Sequence, residues 1–167
     1  MRIYLVRHSN AVDRVPPMPD ADRFLSARGR VSFREMARRF RDAGGHPTRI
    51  LTSPFIRAVQ TAEILSETLR YDGEVVVDPR LSPGFDVAGL SAVLGGCPRE
   101  REIAFVGHEP DLGDILACLL SLPQGYAMRK GAIAALDLPI AGDPLRAGLA
   151  WLLTGDRRIE DPAMLVT

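Results

Sequence analysis

The sequence has little cysteine, no net charge and no long apolar run, and each shortage excludes a class of protein. Only two of the 167 residues are cysteines, Cys97 and Cys118, and their spacing is not that of a metal site. The chain opens into a strand-like run without the pattern of a signal peptide. We therefore expect a reducing, cytoplasmic setting.

Charge and hydropathy argue against nucleic acid and membrane partners. The 21 basic and 21 acidic residues cancel, and no long run of like charge occurs, so any anion site must be local. The longest apolar stretches, 115–120 and 150–153, fall far short of the roughly 20 residues that a membrane-spanning helix needs. The sequence also lacks an HExxH motif, a cysteine cluster and an aspartate-rich metal motif, which predicts that the protein needs no metal or other cofactor.

Short apolar runs alternate with helical stripes along the chain. Residues 13–23 interrupt this pattern with three prolines among aspartates and predict a surface loop. The alternation predicts a three-layer α/β/α sandwich around a mostly parallel sheet, with residues 1–167 forming one domain. The predicted strands cover residues 1–6, 49–52, 74–77, 102–107, 132–138 and 148–153.

Capping residues predict where the helices begin. Ser32 and Glu35 form a candidate capping box for the first helix, with Ser26 as an alternative start. Ser53 and Pro54 are typical of an N-cap followed by the first helical position, and predict the start of the second helix. A third helix is predicted after residue 110, with an apolar face directed to the core.

Histidine and arginine follow three of the predicted strands at the points where they end. Arg7 and His8 follow the first strand, Arg57 lies one turn into the helix after the second, and His108 follows the strand that ends at Gly107. The carboxyl ends of parallel strands meet at one edge of a sheet. Two guanidinium groups beside helix N-termini are suited to a tetrahedral dianion. We therefore predict a phosphate pocket in which neighbouring cations keep His8 neutral and nucleophilic.

Three segments resemble the histidine phosphatase superfamily, which is phosphoglycerate mutase-like in fold. They are Leu5-Val-Arg-His8, the run from Thr52 to Glu63, and Val106-Gly-His-Glu-Pro110. The short length and the segment 23–29 are similar to the SixA-like branch, whose members act as phosphohistidine phosphatases. The resemblance implies that His8 is phosphorylated in turnover, that Arg7, Arg57 and His108 bind the phosphate, and that Arg23 is a further pocket residue.

Two positions depart from the family pattern. Ser9 stands where many members have glycine, and a side chain there restricts how closely the backbone approaches phosphate. The mutase-like members have a glutamate after the strand near residue 80, but residues 80–86 contain none. Asp86 and Glu109 are the candidates for a general acid, and we expect that neither is essential. A missing acid favours a phosphoramidate substrate, because protonated imidazole leaves readily.

The expected function is therefore dephosphorylation of a protein phosphohistidine through a phosphohistidine enzyme. The predicted partner is a phosphorylated protein, with a histidine phosphotransfer protein as one candidate. Two alternatives remain open: a phosphatase for small phosphoesters, and a catalytically weak module that binds phosphoproteins. Relative rates on phosphoesters and phosphohistidine distinguish the small-molecule phosphatase. Stoichiometric labelling of the protein without turnover indicates the binding module.

Overall fold

One seven-stranded sheet organises the chain in the computed structural model, which describes residues 1–139 and 146–165. The strand order across the sheet is β3-β2-β4-β1-β5-β6-β7. The strands are β1 (Arg2–Arg7), β2 (Arg49–Thr52), β3 (Val75–Val77), β4 (Glu102–Gly107), β5 (Ile133–Asp137), β6 (Gly148–Thr154) and β7 (Arg157–Ile159). The helices are α1 (Ala27–Asp42), α2 (Ile56–Leu69), α3 (Val87–Gly95) and α4 (Asp111–Leu120), with short 3₁₀ turns at Asp20–Asp22, Pro79–Leu81 and Pro162–Leu165.

The sheet is mixed, with its parallel strands on one side. Strands β1 to β4 pair in parallel, whereas β5, β6 and β7 add antiparallel pairings beyond β1. Five of the seven strands therefore run in the same direction, because β6 is antiparallel to β5 and so runs with β1. The α/β sandwich predicted from the sequence is confirmed, and its parallel half carries the ends at which the functional residues were expected.

Alternate residues of each strand feed two separate cores, one on each face of the sheet. Along β1, Ile3 and Leu5 face one core and Tyr4 and Val6 face the other. Helices α3 and α4 cover the first face, and α1 and α2 cover the second. The apolar stripe predicted for α1 is buried as expected: Phe33, Met36, Ala37 and Phe40.

The starts of two helices differ from the main sequence prediction. Helix α1 begins after Ser26, whose Oγ accepts a hydrogen bond from the Gly29 amide at 3.0 Å. The alternative start is thus confirmed, and the capping box at Ser32 is wrong. Helix α2 begins two residues later than predicted, with Phe55 as its N-cap. The Ser53 hydroxyl lies before the helix, where it accepts a hydrogen bond from the Phe55 amide at 3.3 Å and contacts His108 Nε2 at 2.7 Å.

Two elements were not predicted. Helix α3 is short and buries only Leu90 and Val93, so its apolar stripe is too brief to indicate a helix. Strand β7 has only three residues and lies at the edge of the sheet. The predicted loop at 13–23 is confirmed apart from the single 3₁₀ turn that contains Asp20. Among the residues described, no helix combines the length and apolar character required to cross a membrane.

Gly29 permits the loop after β1 to lie directly on α1. A β-carbon at this buried position would overlap the carbonyl oxygen of Asn10. We expect Gly29→Ala to lower the free energy of unfolding by about 1–3 kcal/mol through overpacking, measured by urea denaturation. Gly95→Ala is the matched control, because beyond its chain neighbours and its own helix backbone no atom lies within 4 Å of a β-carbon there, and it should keep or raise stability. Equal losses in both variants would contradict the close approach.

Candidate active site

The parallel pairing of β1 with β4 brings two histidines together. Arg7 lies opposite Gly107 in this register, so His8 and His108 each stand one residue beyond a paired strand end. Their ring centroids are 5.3 Å apart. Both histidines are almost fully buried, with 8% and 4% of their surface exposed. The two predicted site histidines therefore share one enclosed place.

The His8 ring is held in one tautomer by its own loop. Its Nδ1 lies 2.7 Å from the Ser9 carbonyl oxygen, which can only accept, so Nδ1 carries the proton. Nε2 consequently has a lone pair, and the Nε–H of Arg57 donates to it at 3.2 Å. The His8 backbone is fixed as well, because its N–H donates to Gly107 and its carbonyl accepts from Gly131. His8 thus presents a positioned, unprotonated nitrogen.

Arg57 reaches the site from the first turn of α2 and is buried. Its Nη1 donates to the Asp20 carbonyl at 2.7 Å, and its Nη2 donates to Asp20 Oδ2 at 2.9 Å. With the bond to His8, three of the five guanidinium N–H groups have partners, which leaves two for an anion. Hydrogen bonds from Arg23 and then Arg57 lower the pKa of Asp20, so this carboxylate is ionised and fixes Arg57.

Arg7 and His108 each carry a buried nitrogen that lacks a partner within residues 1–139 and 146–165. Arg7 Nη1 donates to the Met128 carbonyl, but its Nε has no acceptor. His108 Nε2 lies 2.7 Å from Ser53 Oγ, and its Nδ1 is unpartnered. Unpaired buried polar atoms are costly. These two nitrogens lie on neighbouring strand ends, where an oxyanion would satisfy both.

Burial and neighbouring cations keep both histidines neutral. Burial, with the charges of Arg57 and Arg7, lowers the pKa of His8 to about 4. Burial, followed by the nearby His8 and Arg57, lowers the pKa of His108 to about 3. At neutral pH the positive charge around His8 therefore comes from Arg57 and Arg7, with a smaller contribution from Lys130.

Ser9 and Arg23 stabilise the site through hydrogen bonds to residues around the pocket. Ser9 Oγ donates to the Gly29 carbonyl at 3.0 Å, and its amide donates to Thr61 Oγ1 at 3.3 Å. The serine therefore connects the loop after β1 to α1 and α2. Arg23 donates to Asp20 Oδ1 at 2.9 Å and to the Val12 carbonyl, so it reaches the pocket through Asp20.

The two candidate acids lie in different surroundings. Asp86 is exposed and caps α3 by accepting from the Gly89 amide at 2.8 Å. Glu109 is half-buried, accepts from the Met128 amide at 3.2 Å, and has a buried Oε2 without a partner among the described residues. Burial raises the pKa of Glu109 to about 7, against the opposing charge of Arg7. Glu109 therefore has the properties of a proton donor near the pocket, and Asp86 does not.

Two residues of the site were missed in the sequence. Asp20 stands in the proline-rich loop, and only its place three residues before Arg23 hinted at an ion pair. Ser53 was interpreted as a helix cap. Its position four residues before Arg57 is equally compatible with a residue of the pocket. Both act through side-chain contacts between segments far apart in sequence, which local patterns do not reveal.

Comparison with known proteins gives the same family. The model of the histidine phosphatase superfamily (branch 1) matches residues 3–83. The phosphohistidine phosphatase SixA of Escherichia coli is 29% identical over 145 residues, which cover 86% of this chain and 89% of that protein. An uncharacterized protein of Picosynechococcus is 37% identical over 120 residues, or 68% of this chain and 70% of that protein.

A solved structure shares the whole architecture. The protein histidine phosphatase SixA complexed with tungstate superposes with a TM-score of 0.81 at 26% identity. The match covers 92% of this chain and 97% of that one. Sequence and fold similarity therefore extend well beyond the three motifs.

Proposed function

Because this chain belongs to the histidine phosphatase superfamily and is a phosphatase, we propose that His8 accepts the phosphoryl group in its reaction. One observation carries the proposal: His8 Nε2 is unprotonated, held by the Ser9 carbonyl through Nδ1, and in contact with Arg57. Such a nitrogen can attack phosphorus without first losing a proton.

The first step transfers the phosphoryl group to His8. Nε2 forms a bond to phosphorus as the bond from phosphorus to the leaving group breaks, and the leaving group takes that electron pair. Arg7, Arg57 and His108 bind the equatorial oxygens, on which charge accumulates. As the phosphoryl group arrives, it replaces the Nε2 lone pair as the acceptor for Arg57.

The second step restores the enzyme. Water attacks the phosphorus of phosphohistidine, the N–P bond breaks, and its electron pair returns to His8 Nε2. The same three side chains bind the phosphate product. We propose that no metal takes part, since guanidinium and imidazole groups supply the positive charge and donors that the oxygens need.

Glu109 is proposed as the proton donor for the leaving group. Its carboxyl is half-buried and close enough to Arg7 to oppose the lowering of that arginine's pKa by burial, and at neutral pH much of the carboxyl is protonated. A protonated imidazole leaves with little help, whereas an alkoxide needs a proton. Glu109 therefore matters most for substrates with poor leaving groups, which refines the expectation that no acid is essential.

The proposed substrate is a phosphohistidine on a protein. Support comes from the similarity to SixA and from the nucleophile, which accepts a phosphoryl group from another imidazole at little energetic cost. We propose that residues 1–167 act as one domain in the cytoplasm, where the free thiols of Cys97 and Cys118 remain reduced. A phosphatase for small phosphoesters is the alternative.

Two substitutions test the nucleophile and the phosphate ligands. His8→Ala should abolish phosphate release, and Arg57→Ala should slow it about 100- to 1,000-fold, because a donor to the developing charge is lost. Arg34→Ala, on the exposed face of α1, is the control and should match wild type. Phosphate release is followed from a phosphohistidine protein and from nitrophenyl phosphate.

The outcomes of that assay separate the substrates. His8-dependent release that is faster from the phosphohistidine protein supports the proposal. Release from nitrophenyl phosphate alone would transfer the assignment to phosphoesters. Full activity in His8→Ala would contradict the mechanism.

Glu109→Gln tests the proton donor through pH and leaving group. With an alkyl phosphate, the wild-type rate should fall as pH rises through about 7, because Glu109 loses its proton there. The glutamine keeps an acceptor for the Met128 amide but cannot transfer a proton to the leaving group. The variant should therefore be about 100-fold slower than wild type below pH 7, and its rate should not fall as pH rises through 7. Nitrophenyl phosphate, whose leaving group needs no proton, serves as the control. An equal loss on both substrates would argue against acid catalysis.

A further inference from the structure

A second concave surface adjoins the phosphate pocket. It is a cavity of about 580 Å³, within the range of ligand-binding sites. Its walls come from the start of α4, residues 124–127, Arg129, the β6–β7 hairpin and residues 164–165. The mechanism above uses only one of its lining residues, Glu109.

Met128 connects this cavity to the phosphate pocket. Its amide donates to Glu109, which lines the cavity, and its carbonyl accepts from Arg7, which lies in the phosphate pocket. The residues on either side, Ala127 and Arg129, also line the cavity. Gly113 allows this packing, because a β-carbon there would overlap both the Tyr126 carbonyl and Glu109 Oε1. Only one residue of chain thus separates the two sites.

Two residues of the cavity lining each have a buried side-chain oxygen that lacks a protein partner within the described ranges. These oxygens are the Oγ1 of Thr154 and the Oε2 of Glu109. Thr154 is 94% buried, since its exposed fraction is 6%, at the end of β6. A buried hydroxyl without a partner destabilises the folded protein, whereas a ligand that supplied a hydrogen bond would remove that cost.

The charges around the cavity favour an anionic group. Arg129 and Arg157 line it on the side of the β6–β7 hairpin, and both lower the pKa of Tyr126, which burial raises. Asp114 and Glu109 also line the cavity. Both arginines are exposed, so their guanidinium groups are accessible to a carboxylate of a ligand.

We propose that this cavity binds the polypeptide flanking the phosphorylated residue of a protein substrate, with a carboxylate of that segment against Arg129 and Arg157 and a polar group on Thr154. The proposal rests on the proposed function. In this proposal the cavity lies beside the proton donor Glu109 and determines which protein substrates bind, but it does not contact the reacting phosphoryl group. A small aryl phosphate fills only the phosphate pocket and does not sense the cavity.

Thr154→Val tests the hydroxyl, with Thr154→Ser as the conservative variant. Valine removes the unpartnered group at nearly constant shape, so stability should hold or rise. For a phosphohistidine protein, Thr154→Val should raise KM about 5- to 10-fold, the effect of one hydrogen bond, and Thr154→Ser should restore it. Rates on nitrophenyl phosphate should match wild type in both variants.

The paired substitution Arg129→Glu with Arg157→Glu tests the charge. It should raise KM for the phosphoprotein by about 10-fold or more and leave kcat/KM for nitrophenyl phosphate unchanged within about twofold. Arg99→Glu with Arg101→Glu is the matched control, because it changes the net charge equally on exposed residues before β4, away from the cavity. The control should behave as wild type on both substrates.

The results decide between the cavity and the phosphate pocket. Unchanged kinetics on the phosphoprotein, or equal losses on both substrates, would overturn the inference. If the cavity variants lost as much kcat/KM on free phosphohistidine as on the phosphohistidine protein, the cavity would bind a small molecule. That result would overturn the polypeptide as its occupant. If wild type shows no His8-dependent release, the proposed function itself fails.

Discussion

The register between β1 and β4 is the constraint on which the site depends. Arg7 pairs opposite Gly107 in a parallel ladder, so the residues that follow, His8 and His108, emerge side by side. A shift of one residue in either strand would turn the side chains of that strand to the opposite faces of the sheet, and so into the wrong cores. Because both strands are buried on both faces, packing fixes this register. The same packing that stabilises the fold therefore sets the distance between the two histidines.

Burial and hydrogen bonding determine which groups of the pocket carry a charge. Burial keeps both histidines from taking up a second proton, so both are neutral, while Asp20 accepts two hydrogen bonds from Arg57 and fixes the orientation of its guanidinium group. Arg7 has no carboxylate within ion-pair distance among the described residues. An entering phosphate thus meets preorganised donors and a neutral nucleophile, an arrangement that stabilises transition-state charge without reorganisation.

The sequence predicts those parts of the fold and site that are encoded locally. Strand ends could be located because buried runs stop abruptly at polar residues, which placed His8, Arg57 and His108 correctly relative to the sheet. Contacts between distant segments could not be predicted in this way. Asp20 binds Arg57 across 37 residues, and the buried hydroxyl of Thr154 has no sequence signal that separates it from any other strand threonine. Ser53 was misassigned because one motif fits both a helix cap and a partner for histidine.

The proposed function depends most directly on a covalent phosphoryl group on His8. The direct measurement is a rapid-quench reaction with a radioactively labelled phosphohistidine protein, stopped in alkali and followed by peptide mapping. We expect a label on the peptide that contains His8, which is stable in base, lost in acid and absent from His8→Ala. A label on any other residue, or turnover in wild type with no labelled enzyme at any quench time, would contradict it.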